Sequence, residues 1–201
     1  PRPRDRGLSR NPWESIEDLV EDFKKSGKAV KYGHSGNGGL PHLSQAALYS
    51  KAGIKSESVP FNSNSTALTN LLGKHVDVAV GHPTEVLPHL QEGKIRLLGV
   101  FSSKRDERPE FKDIPTFKEQ GYDIDMSVWK FILVPKETPQ EAIDKLYEGF
   151  RNMIEDPKYV KFYETAKLAM NPIEGEEIIQ RLKEEREFSY NVLKDLGLIN
   201  K

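Results

Sequence analysis

The sequence predicts an α/β fold in which a mostly parallel sheet is flanked by helices. Strand patterns alternate with amphipathic helix patterns through the first hundred residues, which is the order that a parallel sheet requires. The segment 76–80 is almost unbroken in its apolar character, as is typical of a strand buried on both faces. With 201 residues, the chain can form one or two hydrophobic cores.

The individual elements follow from hydrophobic periodicity and from helix start and stop signals. Strands are predicted at 29–32, 56–61, 76–80, 96–102 and 128–134. Helices are predicted at 15–27, 40–50, 67–72, 84–91, 114–121, 139–155, 159–166 and 178–196. Residues 1–10 contain four arginines and two prolines, so we expect an arm, a fraying terminus or a cut edge there instead of core.

Two of these helices have recognisable start signals. Ser15, with Asp18 three residues later, predicts a capping box at the first helix. At the longer helix, Thr138 is predicted as the cap and Pro139 as the first helical residue. The apolar stripe of this longer helix is expected to be core, and it consists of Ile143, Leu146, Tyr147, Phe150, Met153 and Ile154.

A glycine-rich turn follows the first strand and is expected to bind an anion. Residues 33–39 contain four glycines, which allow the backbone to adopt positive φ and to approach a ligand closely. A helix starts next, at Leu40, and a helix N-terminus presents unpaired N–H groups with about half a positive charge. The stretch lacks the Lys-Ser/Thr of a nucleotide-binding loop, and it departs from the hydrolase nucleophile elbow at Asn37. The alternative that the glycines only make the turn tight stays open.

A second turn repeats this construction with small polar residues. The strand that ends at Phe61 is followed by Asn62, Ser63, Asn64, Ser65 and Thr66, and then by a helix. One helix cap needs only one such residue, so the surplus donors are expected to face a ligand. The competing interpretation is that Ser65 or Thr66 serves only as the cap. His82 follows the third predicted strand, at the sheet edge where ligands bind in open α/β folds.

Composition excludes several other classes of function. The 30 basic and 31 acidic residues give a net charge of −1, so no overall field favours nucleic acid or a membrane surface. No apolar run approaches the roughly 18 residues of a spanning helix, so direct membrane insertion is not expected. The absence of cysteine removes thiolate chemistry, and the five histidines lack metal-site spacing. We therefore expect neither a cofactor nor a metal.

The order of these motifs resembles that of the solute-binding receptors of tripartite tricarboxylate transporters. The resemblance extends from about Trp13 to Leu196, almost the whole chain. It is carried by residues 32–43, Val59-Pro60-Phe61, residues 66–78, residues 93–98, residues 114–121, Trp129 and residues 135–139. No single fragment is specific to this family, but the order in which all of them occur is.

The resemblance implies a periplasmic-binding-protein-like fold with two lobes that close on a small carboxylate, without enzymatic activity. It implies a periplasmic or otherwise extracytoplasmic location, and the permease subunits of the transporter as membrane partners. Residues 12–125 would form the ligand-binding second lobe. Residues 126–201 would contribute to a first lobe that lacks its N-terminal part, so that either the sequence is a truncated piece or a partner chain completes the lobe.

The resemblance also implies which residues contact the ligand. The first group comprises Ser35, Gly36, Asn37, Gly38 and Gly39, called here the glycine turn. The second comprises Asn62, Ser63, Asn64, Ser65 and Thr66, called here the polar turn, and His82 is a further pocket residue. The chain departs from the family pattern at His34 and Gly39, where serine is usual.

Two other functions remain as alternatives. An effector-binding domain of a transcription regulator has this fold class, but the ten residues before Asn11 cannot supply the helix-turn-helix that it would need. A small-molecule enzyme could use residues 33–39 as an oxyanion hole, with His34 or His42 as the base. Against the enzyme, no carboxylate lies at an obvious spacing to orient either histidine.

Overall fold

The computed structural model of the protein describes residues 13–166 and 172–199. The predicted arm at residues 1–10 lies outside this part of the chain. The chain forms two compact units: the first contains the described residues up to Ser127 and those from Ile173 onward, and the second is Val128–Pro172.

The first unit contains a parallel three-stranded sheet flanked by helices. Its strands are β1 (Val30–Ser35), β2 (Ser56–Phe61) and β3 (Val78–Ala79), in the spatial order β2-β1-β3. Its helices are α1 (Ile16–Ser26), α2 (Leu40–Ala52), α3 (Asn64–Leu72), α4 (Pro83–Gln91) and α7 (Glu176–Asp195). The predicted α/β class with a parallel sheet is confirmed, because a helix follows each strand of the sheet.

The core of the first unit lies between α1, β1 and α2. The capping box at α1 is confirmed: the N–H of Asp18 donates to Ser15 Oγ at 3.1 Å, and the N–H of Ser15 donates to Asp18 Oδ2 at 3.0 Å. The cap starts a helix whose apolar stripe is buried, with Ile16 and Leu19 almost fully enclosed. Burying each side chain of this size stabilises the fold by about 1.5–3 kcal/mol.

A buried glutamine attaches α2 to the central strand. Gln45 is 2% exposed, and its Nε2 donates to the carbonyl oxygens of Gly33 at 3.0 Å and Pro41 at 2.9 Å. A buried carbonyl without a donor would be costly. The side chain of Gln45 therefore fixes the start of α2 over the carboxyl end of β1.

The predicted strand at 96–102 is wrong. Within the described residues, this segment makes only one isolated bridge, between Val100 and Thr116. The N–H of Val100 donates to Pro115 O at 3.1 Å, and Gln120 Nε2 donates to Leu98 O at 3.0 Å. The backbone groups of Leu98 and Val100 thus bond to residues 115–120, and β3, at two residues, is too short to offer a longer edge.

The predicted helix at 114–121 is also wrong, because the segment forms successive turns. Thr116 and Glu119 cap each other, since the N–H of Thr116 donates to Glu119 Oε2 at 2.8 Å and the N–H of Glu119 donates to Thr116 Oγ1 at 3.0 Å. The following turns are closed by hydrogen bonds between residues three positions apart, such as that from the N–H of Gly121 to Lys118 O. Gly121, at φ 89°, ends the turn before an α-helix can form.

The second unit consists of an extended segment and two helices, α5 (Gln140–Glu155) and α6 (Pro157–Thr165). The predicted strand at 128–134 is not formed, because no other described segment pairs with it. Helix α5 starts one residue later than expected, with Pro139 as its cap position, while the N–H of Thr138 donates to Pro135 O.

The apolar stripe of α5 is not core in this structure. None of the residues of α5 is buried, and Leu146, Tyr147, Phe150 and Met153 are between 36% and 48% exposed. In the preceding extended segment, Ile132 and Leu133 are 62% and 74% exposed. The amphipathic pattern correctly predicted the helix, but within the second unit α6 leaves this face partly exposed.

Candidate functional site

The sheet brings the glycine turn and the polar turn side by side. Strands β1 and β2 are parallel neighbours, and Ser35, the last residue of β1, is paired in register with Phe61, the last residue of β2. The N–H of Gly36 donates across the gap to Phe61 O at 3.3 Å. Both turns thus leave the same sheet edge next to each other, and each leads into a helix N-terminus.

The glycine turn needs its glycines for backbone conformation. Gly36 and Gly38 have φ values of 76° and 75°, a region that side chains disfavour, and an added Cβ would meet no atom at either position. Gly39 occupies the cap position of α2 and provides no side-chain cap. The helix therefore begins with open N–H groups.

Only some of the N–H groups in the glycine turn are available to a ligand. The N–H of Gly36 is bonded to Phe61, and the N–H of Gly38 donates to His42 Nδ1 at 3.0 Å. Pro41, the second residue of α2, has no N–H. In the part of the chain that the structure describes, the N–H groups of Asn37, Gly39 and Leu40 have no acceptor.

Two stacked histidines lie beneath this turn. His34 is fully buried and His42 is 5% exposed, and their ring centroids are 4.4 Å apart at 20°. His34 Nδ1 donates to Gly36 O at 3.0 Å and therefore carries a proton, while His42 Nδ1 accepts from the N–H of Gly38 at 3.0 Å, so the His42 ring is neutral with its proton on Nε2. Burial lowers the pKa of both imidazoles, and the neighbouring His34 lowers that of His42 further.

These contacts make the histidines supports of the turn. A general base needs an orienting group and access to a substrate proton. Here both Nδ1 atoms bond to backbone groups of the turn, and His34 Nε2 is buried without a partner among the described residues. The enzyme alternative, with His34 or His42 as base, gains no support from this geometry.

The polar turn caps α3 with Ser63. The N–H of Thr66 donates to Ser63 Oγ at 3.1 Å, and the two hydroxyl groups lie 2.9 Å apart. Neither Ser65 nor Thr66 is the cap. The N–H groups of Asn64 and Ser65, at the first two helical positions, keep no acceptor among the described residues. Asn62 is exposed just before the cap.

His82 follows β3 and precedes α4 at the same edge of the sheet. It occupies the cap position of α4 and is exposed, and its Nδ1 lies 3.3 Å from Thr84 Oγ1. Strand β3 pairs with β1 through Tyr32 and Gly33, so all three predicted groups follow strands of one sheet.

Glu85 is a site residue that the sequence analysis missed. Its Oε2 accepts from the N–H of His82 at 2.8 Å, and its Oε1 accepts from Ser65 Oγ at 2.8 Å. Glu85 is the third residue of α4, so the sequence signal was the glutamate that follows His82 by three positions. The contact with Ser65, across 20 residues of sequence, had no such signal.

Other chemistry is not evident in the described residues. They contain no group of three or more side chains that could hold a metal ion. None of the described helices has both the length and the apolar character that crossing a membrane demands. A surface depression in the second unit is lined by residues of α5 and α6, including Met153, Tyr159 and Phe162, and none of the predicted site residues lines it.

A parallel α/β unit with open helix N-termini at one sheet edge is an arrangement with which α/β proteins bind anionic ligands. The chain belongs to the TctC family, described as the tripartite tricarboxylate transporter family receptor, whose family model matches residues 8–198. This is a family of binding receptors and not of enzymes.

Individual relatives agree with this assignment. The chain is 29% identical over 162 residues to the UPF0065 protein in the gbd 5′ region of Cupriavidus necator, a match that covers 81% of this chain and 48% of that protein. It resembles the crystal structure of a TctC solute-binding protein from Polaromonas with a TM-score of 0.79 and 26% identity, over 92% of this chain and 62% of that one.

Two further solved structures share the fold at lower identity. Rpa4515 of Rhodopseudomonas palustris, solved with adipate, has a TM-score of 0.76 at 21% identity, over 94% of this chain and 63% of that one. MatC from the same organism, solved with malate, has a TM-score of 0.70 at 20% identity, over 91% and 63%. The chain thus spans about half the length of the curated relatives and under two thirds of these structures.

Proposed function

We propose that this protein is an extracytoplasmic solute-binding receptor that captures a small carboxylate for a tripartite tricarboxylate-type transporter. The observation that carries the proposal is the register of β1 and β2, which pairs Ser35 with Phe61 and thereby sets two helix N-termini next to each other. Helix N-termini with unpaired N–H groups attract carboxylates. Membership of the TctC family and the adipate and malate found with two relatives support the same ligand class.

In this proposal, the N–H groups of Asn37, Gly39 and Leu40 bind the carboxylate at the start of α2. The exposed amide of Asn37 adds a side-chain donor. A charge-assisted hydrogen bond of this kind is stronger than a neutral one, and waters can bridge the remaining distance. No catalytic step is involved, because the site only has to bind and release its ligand.

The lobe assignment and the partners belong to this proposal as well. We assign residues 12–125 to the ligand-binding second lobe and residues 126–201 to the incomplete first lobe. Within the latter range, Val128–Pro172 forms a separate compact unit, whereas α7 belongs to the first unit and packs on α2. The proposed location is the periplasm, and the proposed membrane partners are the permease subunits of the transporter.

A thermal-shift and calorimetric comparison tests the proposal. Adipate and malate at millimolar concentration should stabilise the chain, because a ligand bound only to the folded state raises its stability by RT ln(1 + [L]/Kd). Asn37→Ala should weaken binding by about 1 kcal/mol through the lost donor. Asn191→Ala, an exposed asparagine of α7, serves as the matched control and should bind as the wild type does. Unchanged affinity in Asn37→Ala would remove the Asn37 side chain from the site, and no stabilisation by any carboxylate would refute the function.

A further inference from the structure

Glu85 introduces a negative charge into a site that otherwise favours anions. Its carboxylate lies between the starts of α3 and α4, bonded to the hydroxyl of Ser65 and to the N–H of His82, each at 2.8 Å. Glu85 is half-buried. Among the described residues, no lysine or arginine forms an ion pair with it, so no basic side chain offsets its charge.

This contact changes what the polar turn can offer to a ligand. The Ser65 hydroxyl has a single proton, which is directed at Glu85, so its oxygen can only accept a further hydrogen bond. Asn64 Oδ1 is buried and has no donor among the described residues. The full negative charge at Glu85 also opposes the roughly half positive charges at the starts of α3 and α4.

The glycine turn has the opposite character. The first turn of α2 contains no acidic residue, and the open N–H groups of Asn37, Gly39 and Leu40 are all donors. The glycine turn therefore offers only donors and a positive helix terminus, while the polar turn combines the open N–H groups of Asn64 and Ser65 with the carboxylate of Glu85 and the acceptor oxygen of Ser65. A ligand with two anionic ends would place one of them near Glu85.

We propose that Glu85 makes this site select ligands with a carboxylate at one end and an ammonium group at the other. In the bound state the carboxylate lies at the glycine turn, and the ammonium group donates to Glu85 and to Ser65 Oγ. This inference rests on the proposed function, which it deepens by naming the ligand class. It distinguishes the chain from the relatives solved with adipate and malate, both of which are dicarboxylates.

Three ligands of one length isolate the chemistry of the second end. Adipate carries a second carboxylate there, 6-aminohexanoate an ammonium group, and hexanoate a methyl group. Succinate, 4-aminobutyrate and butyrate repeat the comparison at a shorter length. For the wild-type chain, calorimetry should show the amino acid of the preferred length binding about tenfold more tightly than its dicarboxylate, with the monocarboxylate between them.

The variant Glu85→Gln should abolish this preference. Glutamine keeps the hydrogen bond to the start of α4, because both glutamate and glutamine serve at this position of a capping box. Removing the charge should bring the affinities of the dicarboxylate and the amino acid within about twofold of each other. Glu92→Gln, at the other end of α4, removes the same charge from a residue paired with Lys94 and should leave the tenfold preference intact.

The outcomes separate this inference from the proposed function. If the dicarboxylate binds at least as tightly as the amino acid, and Glu85→Gln changes neither affinity, the inference is wrong while the receptor function stands. If neither these six ligands nor malate bind to the wild-type chain, the proposed function fails, and the inference fails with it. If Glu85→Gln and Glu92→Gln lose the preference for the amino acid equally, the preference arises from the overall charge of the protein, and the proposed role of Glu85 is wrong.

Discussion

Acidification should destabilise the folded chain through His34 and His42. Both imidazoles are buried, and burial lowers the pKa of each in the folded state. Protonating His42 would remove the acceptor of the Gly38 N–H, and a proton on His34 Nε2 would find no acceptor among the described residues. The folded chain therefore resists two protons that the unfolded chain accepts.

The sign and size of the effect follow from linkage. Because the pKa is depressed in the folded state, the contribution to stability is complete above the ordinary histidine pKa of about 6.5 and is lost as the pH falls below it. Each histidine can lower the free energy of unfolding by up to about 1.4 kcal/mol per pH unit in that window. The stacked pair can thus account for up to about 2.7 kcal/mol per pH unit.

Urea unfolding between pH 8 and pH 5 measures this slope. In the double variant His34→Asn/His42→Asn, the amides can replace the two Nδ1 hydrogen bonds without titrating, so the loss of stability below about pH 6.5 should be much smaller. His75→Asn removes an exposed histidine and should leave the wild-type slope. A double variant that loses stability on acidification as steeply as the wild type would refute the assignment to this pair.

The remaining predictions concern the packing that positions the site. Gln45→Leu leaves the carbonyl groups of Gly33 and Pro41 without their buried donor, and we expect a loss of about 1–3 kcal/mol in urea unfolding; a loss below 0.5 kcal/mol, roughly, would show that water replaces the amide. Gly81→Ala should cost about 1–3 kcal/mol, because its Cβ would lie 2.7 Å from Val86 Cγ1. Its control is Gly149→Ala in α5, where an added Cβ meets no atom, and which should gain about 0.5–1 kcal/mol of helix stability. Equal effects of the two alanines on unfolding would contradict the close packing at Gly81.

Local sequence signals predicted the parts of the fold that local chemistry determines. The capping box of Ser15 and Asp18 and the strand-turn-helix order around the glycine turn needed only periodicity and helix signals, and both were correct. The segments at 96–102 and 128–134 have strand-like composition, but a strand exists only where a partner edge is available. Sequence composition cannot show that β3 is two residues long, nor which segment a carbonyl such as Leu98 O bonds to.

In the candidate site, too, some features follow from local sequence and others depend on tertiary contacts. The run of glycines and the run of small polar residues, each before a predicted helix, are visible in the sequence, so the two turns could be predicted. The hydrogen bonds that the N–H groups of Gly36 and Gly38 donate to Phe61 O and His42 Nδ1 depend on how the chain folds around the turn. The charge of Glu85 beside Ser65 depends on how α3 and α4 start next to each other, which no local pattern encodes.

The exposed apolar side chains of the second unit affect every binding titration of this chain. Val128, Ile132 and Leu133 are each more than 60% exposed, and the stripe along α5 adds to this surface. Surfaces of this kind promote association as the concentration rises. The heat of self-association would then be superimposed on the heat of solute binding. Affinities should therefore be measured over a dilution series, and only values that do not change with protein concentration describe the proposed carboxylate site.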